Sequence, residues 1–310
     1  PGVIAYGHGQ TTDTSCWGGG PPYYDTTTKL YHLYVTEIAG HCGMSTWARM
    51  SQATHATSPN ITGPFTKVAV AVGTFTHNVY YAYNPKEELH LLYHIGSGNN
   101  PASCNPYFNC TNGTTPHANG IQPPNAPWPP ATCPLTRASN LHYSKSLSGP
   151  WLDGGPLKLN PDVSVRSVSN PSPWIFANGT VMFIGRTSDG ERLKNGTLVA
   201  FHNIWMYKAD SWNATYEFVP GRGVNGSVNV GNGVELTEDP VLWYGRRGFH
   251  IIFHSQANLT HAWSVDGYDW RWSHLSAATN MVIGPNRDPI TDHERPRVVV
   301  DDDGDVSAVF

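Results

Sequence analysis

The sequence predicts an all-β chain, a five-bladed β-propeller of four-stranded antiparallel blades. Three observations lead there: the composition, a recurring hairpin pattern, and a second turn pattern between the hairpins. Charged residues are only 14% of the chain and aromatics 12%, with 31 Gly and 25 Pro in 310 residues. Aromatics suit the pleated surface of strands, and Gly and Pro supply turns, so this balance reads as many short strands joined tightly. A chain this long buries a sizeable core.

The hairpin pattern occurs five times. It reads PPYYDTTTKLYHLYVTEI over 21–38, HNVYYAYNPKEELHLLYHIG over 77–96 and NPSPWIFANGTVMFIGR over 170–186. It returns as TEDPVLWYGRRGFHIIFHS over 237–255 and ERPRVVVDDDGDVSAVF over 294–310. Each has a polar opening, usually with a proline, then an apolar strand, a tight turn and a second apolar strand. Between them, ATSPNITGPF (56–65), SKSLSGPW (144–151) and WSVDGYDW (263–270) share a serine, a short turn and a terminal aromatic, which places a second hairpin after the first. Two hairpins make a four-stranded sheet, and radial repetition of such sheets is a propeller.

The chain thus reads as one propeller domain over 1–310, with blades starting near residues 20, 77, 169, 238 and 293. A Pro/Asn/Cys-rich loop insertion is expected at about 97–140. A chain that starts at Pro1 and stops at Phe310 inside an apolar alternation reads as incomplete at both ends, with signal peptide and C-terminal tail missing.

The compartment follows from modification signals. Asn-X-Ser/Thr occurs at Asn60, Asn109, Asn112, Asn178, Asn195, Asn213, Asn225 and Asn258, which reads as a secreted, extracellular glycoprotein. Cys16, Cys42, Cys104, Cys110 and Cys133 are disulfide candidates in an oxidising compartment. The net charge of −4 and pI near 6.4 argue against nucleic acid as the main partner. No apolar run reaches the roughly 20 residues of a membrane span.

In a propeller the first strand of each blade lines the axis, so the residues that open those strands converge. Here they are Gly20 and Pro21, His77 and Asn78, Ser169 and Asn170, Glu238 and Asp239, and His293, Glu294 and Arg295. Glu238, Asp239 and Glu294 are the candidate catalytic carboxylates, since a carboxyl in a partly desolvated funnel suits proton transfer. Arg295, Asn78, Asn170, His77, His293 and Trp17 are the candidate substrate-binding residues. Amides and guanidinium groups grip hydroxyls or carboxylates, and an indole stacks on sugar faces. No cofactor is required by this set. A structural metal at the axis would need several converging ligands, which the spacing does not establish.

These motifs resemble the five-bladed propeller glycoside hydrolases, the family 43 type and its relatives. The resemblance rests on Thr237-Glu238-Asp239-Pro240 with the FHIIFHS strand and His261-Ala262-Trp263-Ser264 after it, on the Gly-Pro-aromatic turns at 58–65 and 146–151, and on Glu294-Arg295-Pro296 with its Asp-Asp-Asp-Gly turn. It implies carbohydrate as partner and Glu238 as general acid, in a group acting on arabinans, xylans, fructans or algal galactans. Two positions depart from the pattern. The family's general base is an Asp before a proline in the first blade, where this chain has Gly19-Gly20-Pro21-Pro22. The Asp that tunes the acid in the third blade is here Asn170. Two classes of function follow: hydrolysis of a polysaccharide, which needs two carboxyls, or an inactive glycan-binding or structural propeller of an extracellular assembly, with self-assembly as a further partner class.

Overall fold

The computed structural model describes residues 16–40, 46–99, 138–160, 168–187, 204–219, 237–255, 258–278, 282–283, 288–289, 295–301 and 303–309. Most of the Pro/Asn/Cys-rich insertion, with Cys104, Cys110 and Cys133, lies outside them, and so does Cys42. The first sheet contains β1 (Cys16–Gly19), β2 (Tyr23–Asp25), β3 (Leu30–Ile38), β4 (Ser51–Ser58) and β5 (Thr66–Val72), with a short helix α1 (Trp47–Met50) before β4. The second runs β6 (His77–Asn84), β7 (Leu89–Ile95), β8 (Ser139–Ser144), β9 (Leu152–Pro156). The third is β10 (Val168–Ile175), β11 (Val181–Thr187), β12 (Ile204–Ala209), β13 (Glu217–Phe218), and the fourth β14 (Thr237–Gly245), β15 (Gly248–Ser255), β16 (Asn258–Ser264), β17 (Arg271–Ala278). Each is an antiparallel meander whose strands follow chain order from the innermost outwards. In the first, β1 and β2 share the innermost place because both pair with β3, and Pro21 and Pro22, which have no N–H to donate, interrupt the ladder between them.

The fold is therefore an all-β propeller of antiparallel blades, and the described residues form four blades where five were expected. The fifth hairpin pattern is present as a two-stranded ladder, β20 (Val298–Val300) with β21 (Val306–Val309), closed by a turn in which Asp301 accepts from the N–H groups of Asp303 and Asp305. A separate two-stranded ladder, β18 (Val282–Ile283) with β19 (Asp288–Pro289), precedes it. No helix among the described residues is long and apolar enough to cross a membrane.

Burial follows from radial stacking. The second strand of a blade is covered on both faces by neighbouring blades, so β7 (LHLLYHI) is buried at every position. The outermost strand faces solvent, and Val68 and Val70 of β5 are 55% and 46% exposed. Tyr34, Val72, Val79, Tyr81 and Leu92 fill the space between the first two blades. Leu91, Tyr93, Phe183 and Tyr207 extend one core across the second and third, and Met182, Ile184, Leu242, Ile251 and Phe253 join the third to the fourth. Each Tyr, Phe or Leu buried this way contributes roughly 1.5–3 kcal/mol. Polar links fix the angular register: the N–H of Val79 donates to Thr36 Oγ1 (3.2 Å), that of Tyr81 to the Gly20 carbonyl (3.2 Å), and that of Leu242 to Ser172 Oγ (2.9 Å). The recurring serine of the second hairpin closes its own turn. Ser58, Ser144 and Ser264 each end a third strand, and each hydroxyl accepts from a backbone N–H two or three residues on.

Three blades also carry a histidine pair between their second and third strands. His32 Nδ1 lies 2.8 Å from His55 Nε2, His94 Nε2 lies 2.9 Å from His142 Nδ1, and His250 Nδ1 lies 3.0 Å from His261 Nε2. Such a contact needs a bare nitrogen on one ring, so the two rings of a pair cannot both be cationic, and burial disfavours the charged form of each. Burial pushes His55 and His250 down to about 4 and His94 to about 3, below the ordinary 6.5. The unfolded chain takes up protons that the fold refuses. This stability is fully present above about pH 6.5 and is lost as pH falls from there towards 3–4. We expect denaturant unfolding to show a loss on the order of a few kcal/mol between pH 7.5 and 4.5, above the range where most carboxylates titrate. A flat stability profile over that interval would refute the neutral pairs.

Candidate functional site at the propeller axis

The innermost strands share a local defect. Pairing shifts between His77 and Tyr80 in β6, Ser169 and Ser172 in β10, and Glu238 and Val241 in β14. Inside each irregularity one residue adopts a left-handed backbone: Asn78 at φ 59°, Asn170 at 54° and Asp239 at 51°. Gly20, in the break between β1 and β2, has φ 90°, and Arg295, just ahead of β20, has φ 53°. Asn, Asp and Gly tolerate this region best, whereas Arg is strained there. Prolines follow at 21, 171, 240 and 296, where a strand already bulging loses nothing from a missing N–H. A bulge re-aims its side chain, and here the bulged residues turn towards one another.

They meet on Asp239. Its side chain is 2% exposed. Oδ1 accepts from Asn78 Nδ2 at 3.1 Å and from Asn170 Nδ2 at 2.5 Å, and Oδ2 lies 3.7 Å from Arg295 Nε. Residues from the second, third and fourth blades, and from the segment leading into β20, are thus joined at one carboxylate. Arg297 is buried beside them. It stacks over Tyr80 at 5.0 Å and donates to the Pro296 carbonyl, and burial pushes its guanidinium down to about 10, opposed by the nearby Tyr80 and Asp239. Arg295 also packs against the first blade, where a Cβ on Gly18 would lie 2.9 Å from its Cδ.

Glu238, the adjacent residue, faces the other way and its side chain is 38% exposed. Oε1 accepts a charge-assisted hydrogen bond of 2.5 Å from Arg186 Nη1, which projects from β11 of the third blade. His77 is buried against Trp47, with ring centroids 4.6 Å apart. Ser51 gives its hydroxyl proton to the Trp47 carbonyl and therefore accepts from His77 Nδ1–H at 2.9 Å, which settles the tautomer. Burial, and then the Arg295 charge, hold this ring well below its ordinary value.

Of the residues singled out from sequence, the structure brings Asn78, Asn170, Asp239 and Arg295 into contact and sets Glu238 beside them. Trp17 lies in β1, while His293 and Glu294 lie outside the described residues. Three charged residues that sequence reading passed over are held by specific partners, two of them at this site and Glu37 inside the first blade. Arg186 was hidden as the charged end of an apolar strand. Arg297 was hidden in the alternation of ERPRVVV. Glu37 lies within LYHLYVTEI, fully buried, accepting from Gln52, Thr54 and Lys67 at 3.0, 2.7 and 2.5 Å. A charge inside an apolar strand was the available signal in each case. Cys16 pairs opposite Glu37, and burial raises its thiol. Among the sequon asparagines, Asn60, Asn178 and Asn213 are exposed and Asn258 lies in β16. The sites at 109, 112, 195 and 225 fall outside the described residues. No cluster of three or more His, Cys, Asp or Glu that could hold a metal occurs among the described residues.

At the described openings, Glu238 is a carboxylate that solvent reaches and Asp239 is one that it does not. The first blade offers only Gly20 there. The arrangement can bond hydroxyls through Glu238 and Arg186. Two-carboxyl hydrolysis needs a second accessible acid across a cleft.

No family model matches the sequence, and no curated protein matches it. Its structure is similar to a thermostable family-43 glycoside hydrolase, at TM-score 0.55 and 14% identity, covering 98% of this chain and 85% of that one. It is similar to a family 117 glycoside hydrolase produced by the marine bacterium Zobellia galactanivorans, at TM-score 0.53 and 14% identity over 90% of this chain and 75% of the other. An endo-arabinase from Bacteroides thetaiotaomicron gives TM-score 0.52 and 12% identity over 92% and 85%. The chain thus has the propeller fold of glycoside hydrolases, as its motifs suggested.

Because Asp239 accepts from two asparagines and faces an arginine while buried, its loss removes the acceptor of both amides and a counter-charge from Arg295. Asp239→Ala is expected to cost about 3–5 kcal/mol in urea unfolding, and Asp239→Asn less. A wild-type unfolding midpoint in Asp239→Ala would show that the carboxylate does not hold the blades.

Proposed function

We propose that this chain is a secreted, N-glycosylated, glycoside-hydrolase-like propeller that binds a polysaccharide at its axial opening. The observation that carries the reading is the division of labour between two adjacent acids. Asp239 is committed to the hub, and Glu238 with Arg186 forms a partly exposed acceptor–donor pair at its rim. Such a pair bonds vicinal hydroxyls, one as acceptor and one as donor. The fold supports carbohydrate as the ligand class, since its structural neighbours include hydrolases of families 43 and 117.

The β20–β21 hairpin belongs to a fifth blade in this reading. Support comes from Arg295, a fifth left-handed opening that touches both Asp239 and the first blade. Catalysis is the second reading, with Glu238 as general acid, Glu294 as a further candidate carboxylate and Arg295, His77 and His293 as substrate contacts. Exposure of Glu238 favours it. Gly20 in the place of the base, and Asn170 in the place of the tuning acid, favour binding without turnover.

The two separate in one experiment. Affinity electrophoresis against arabinan, xylan, fructan and algal galactan should show retardation by one class, weakened at least about tenfold in Arg186→Ala. Retention of a polysaccharide without release of reducing ends supports a binding propeller. Release that disappears in Glu238→Gln establishes hydrolysis, and no interaction with any of the four removes the carbohydrate reading for these glycans.

A further inference from the structure

Away from the axis, a cavity of about 510 Å³ opens between the third and fourth blades. It falls in the size range of small-molecule sites. Phe176, Met182, Val219 and Phe249 form its apolar floor, and Lys208, Asp266 and Tyr268 its exposed rim. Phe176 meets Tyr244 and Phe249 edge-on, at 5.4 and 6.2 Å between centroids, and Tyr244 and Tyr268 are 40% and 39% exposed. On the same rim, in the turn from β10 to β11, stands Asn178 of the sequon Asn178-Gly179-Thr180.

The turn's geometry puts the asparagine and the ring on one surface. Phe176 N–H donates to the Thr180 carbonyl at 2.9 Å and Gly179 N–H to the Phe176 carbonyl at 2.8 Å, closing a tight loop around Asn178. Gly179 has φ 86°. Asn178 Oδ1 accepts from Thr180 N–H at 3.0 Å, which fixes the amide and leaves Nδ2 pointing away from that bond on an exposed side chain. Phe176, two residues before Asn178, lines the cavity the amide borders.

We propose that Asn178 carries an N-linked glycan whose first N-acetylglucosamine lies in this interblade cavity, against the ring of Phe176. This rests on the secreted-glycoprotein reading above and adds where one glycan goes and what it does. The covalent step joins Asn178 Nδ2 to C1 of the sugar, supplied as a lipid-diphosphate-linked oligosaccharide. The diphosphate departs with its bonding pair and Nδ2 loses one proton. A hexose has one face of axial C–H groups that packs on an aromatic ring, and its acetamido methyl suits an apolar floor. Lys208 and Asp266 on the rim supply a donor and an acceptor for its hydroxyls. The tether removes most of the entropy that a free sugar would lose on binding.

The test uses the whole chain secreted from a glycosylating eukaryotic cell line. Peptide mapping reports occupancy at each sequon, and thermal unfolding is followed for the parent, Thr180→Ala, Phe176→Leu and the double variant. The expected result is a modified Asn178, a melting temperature lowered by about 1–3 °C in Thr180→Ala, and no further loss from Thr180→Ala once Phe176 is Leu. Trimming with an endoglycosidase that leaves one N-acetylglucosamine should keep the parental melting temperature, a control that involves no mutation. Asn178 unmodified while Asn60 or Asn213 is modified overturns this proposal and leaves the glycoprotein reading standing. No modified sequon overturns both. A modified Asn178 with strictly additive effects of the two substitutions overturns the docking.

Discussion

The structure depends on a single buried carboxylate. Asp239 lies where the openings of the innermost strands converge, and it accepts from Asn78 and Asn170 and faces Arg295. A propeller has little to hold its blades at the axis, because the side chains there are short and the backbone turns away from its ladder. Here the backbone turns left-handed at each of these residues, which costs energy for any side chain but glycine. A charge buried among amides and guanidinium groups repays that strain only if every partner is in place. The openings are therefore coupled: moving one blade disturbs the hydrogen bonds of the others.

Away from the axis the work is hydrophobic. Strands buried on both faces, such as β7, make each blade the core of its neighbours. The polar groups left inside that core are matched to each other. In each of the three histidine pairs one ring hydrogen-bonds the other, and Glu37 takes three donors inside its own blade. Affinity of neighbouring strands and acid sensitivity thus arise from the same contacts. A neutral imidazole pair holds two strands together and becomes a liability once the solution can protonate it.

Two adjacent acids differ here because they point apart and only one is closed over by neighbours. Along a regular strand, neighbours point to opposite faces. At β14 Asp239 turns into the axis while Glu238 stays on the solvent side with Arg186. One residue is 2% exposed and the other 38%, across a single peptide bond. The chemistry available at the opening is then set by Glu238 and its arginine, and Asp239 contributes by keeping the second, third and fourth blades in place.

Much of the fold was legible in the sequence because it depends on local rules. Period-2 apolar runs, serine-closed turns and Gly/Pro punctuation are short-range signals, and they placed hairpins where β6–β7, β10–β11 and β14–β15 stand. The convergence of Asn78, Asn170, Asp239 and Arg295 was also legible, since repetition about an axis brings equivalent positions together. Three things were not. Among the described residues the expected five blades appear as four and a hairpin, because repeat counting registers where a blade opens and not how many strands follow. Arg186 was missed because its partner is 52 residues away and on another blade. The roles of Glu238 and Asp239 could not be told apart by residue type, both being carboxylates at the start of one strand. Sequence indicated which strand openings converge, through pattern and spacing. Only the tertiary structure decided which of them is buried there, because burial is a property of the neighbours that close over a side chain.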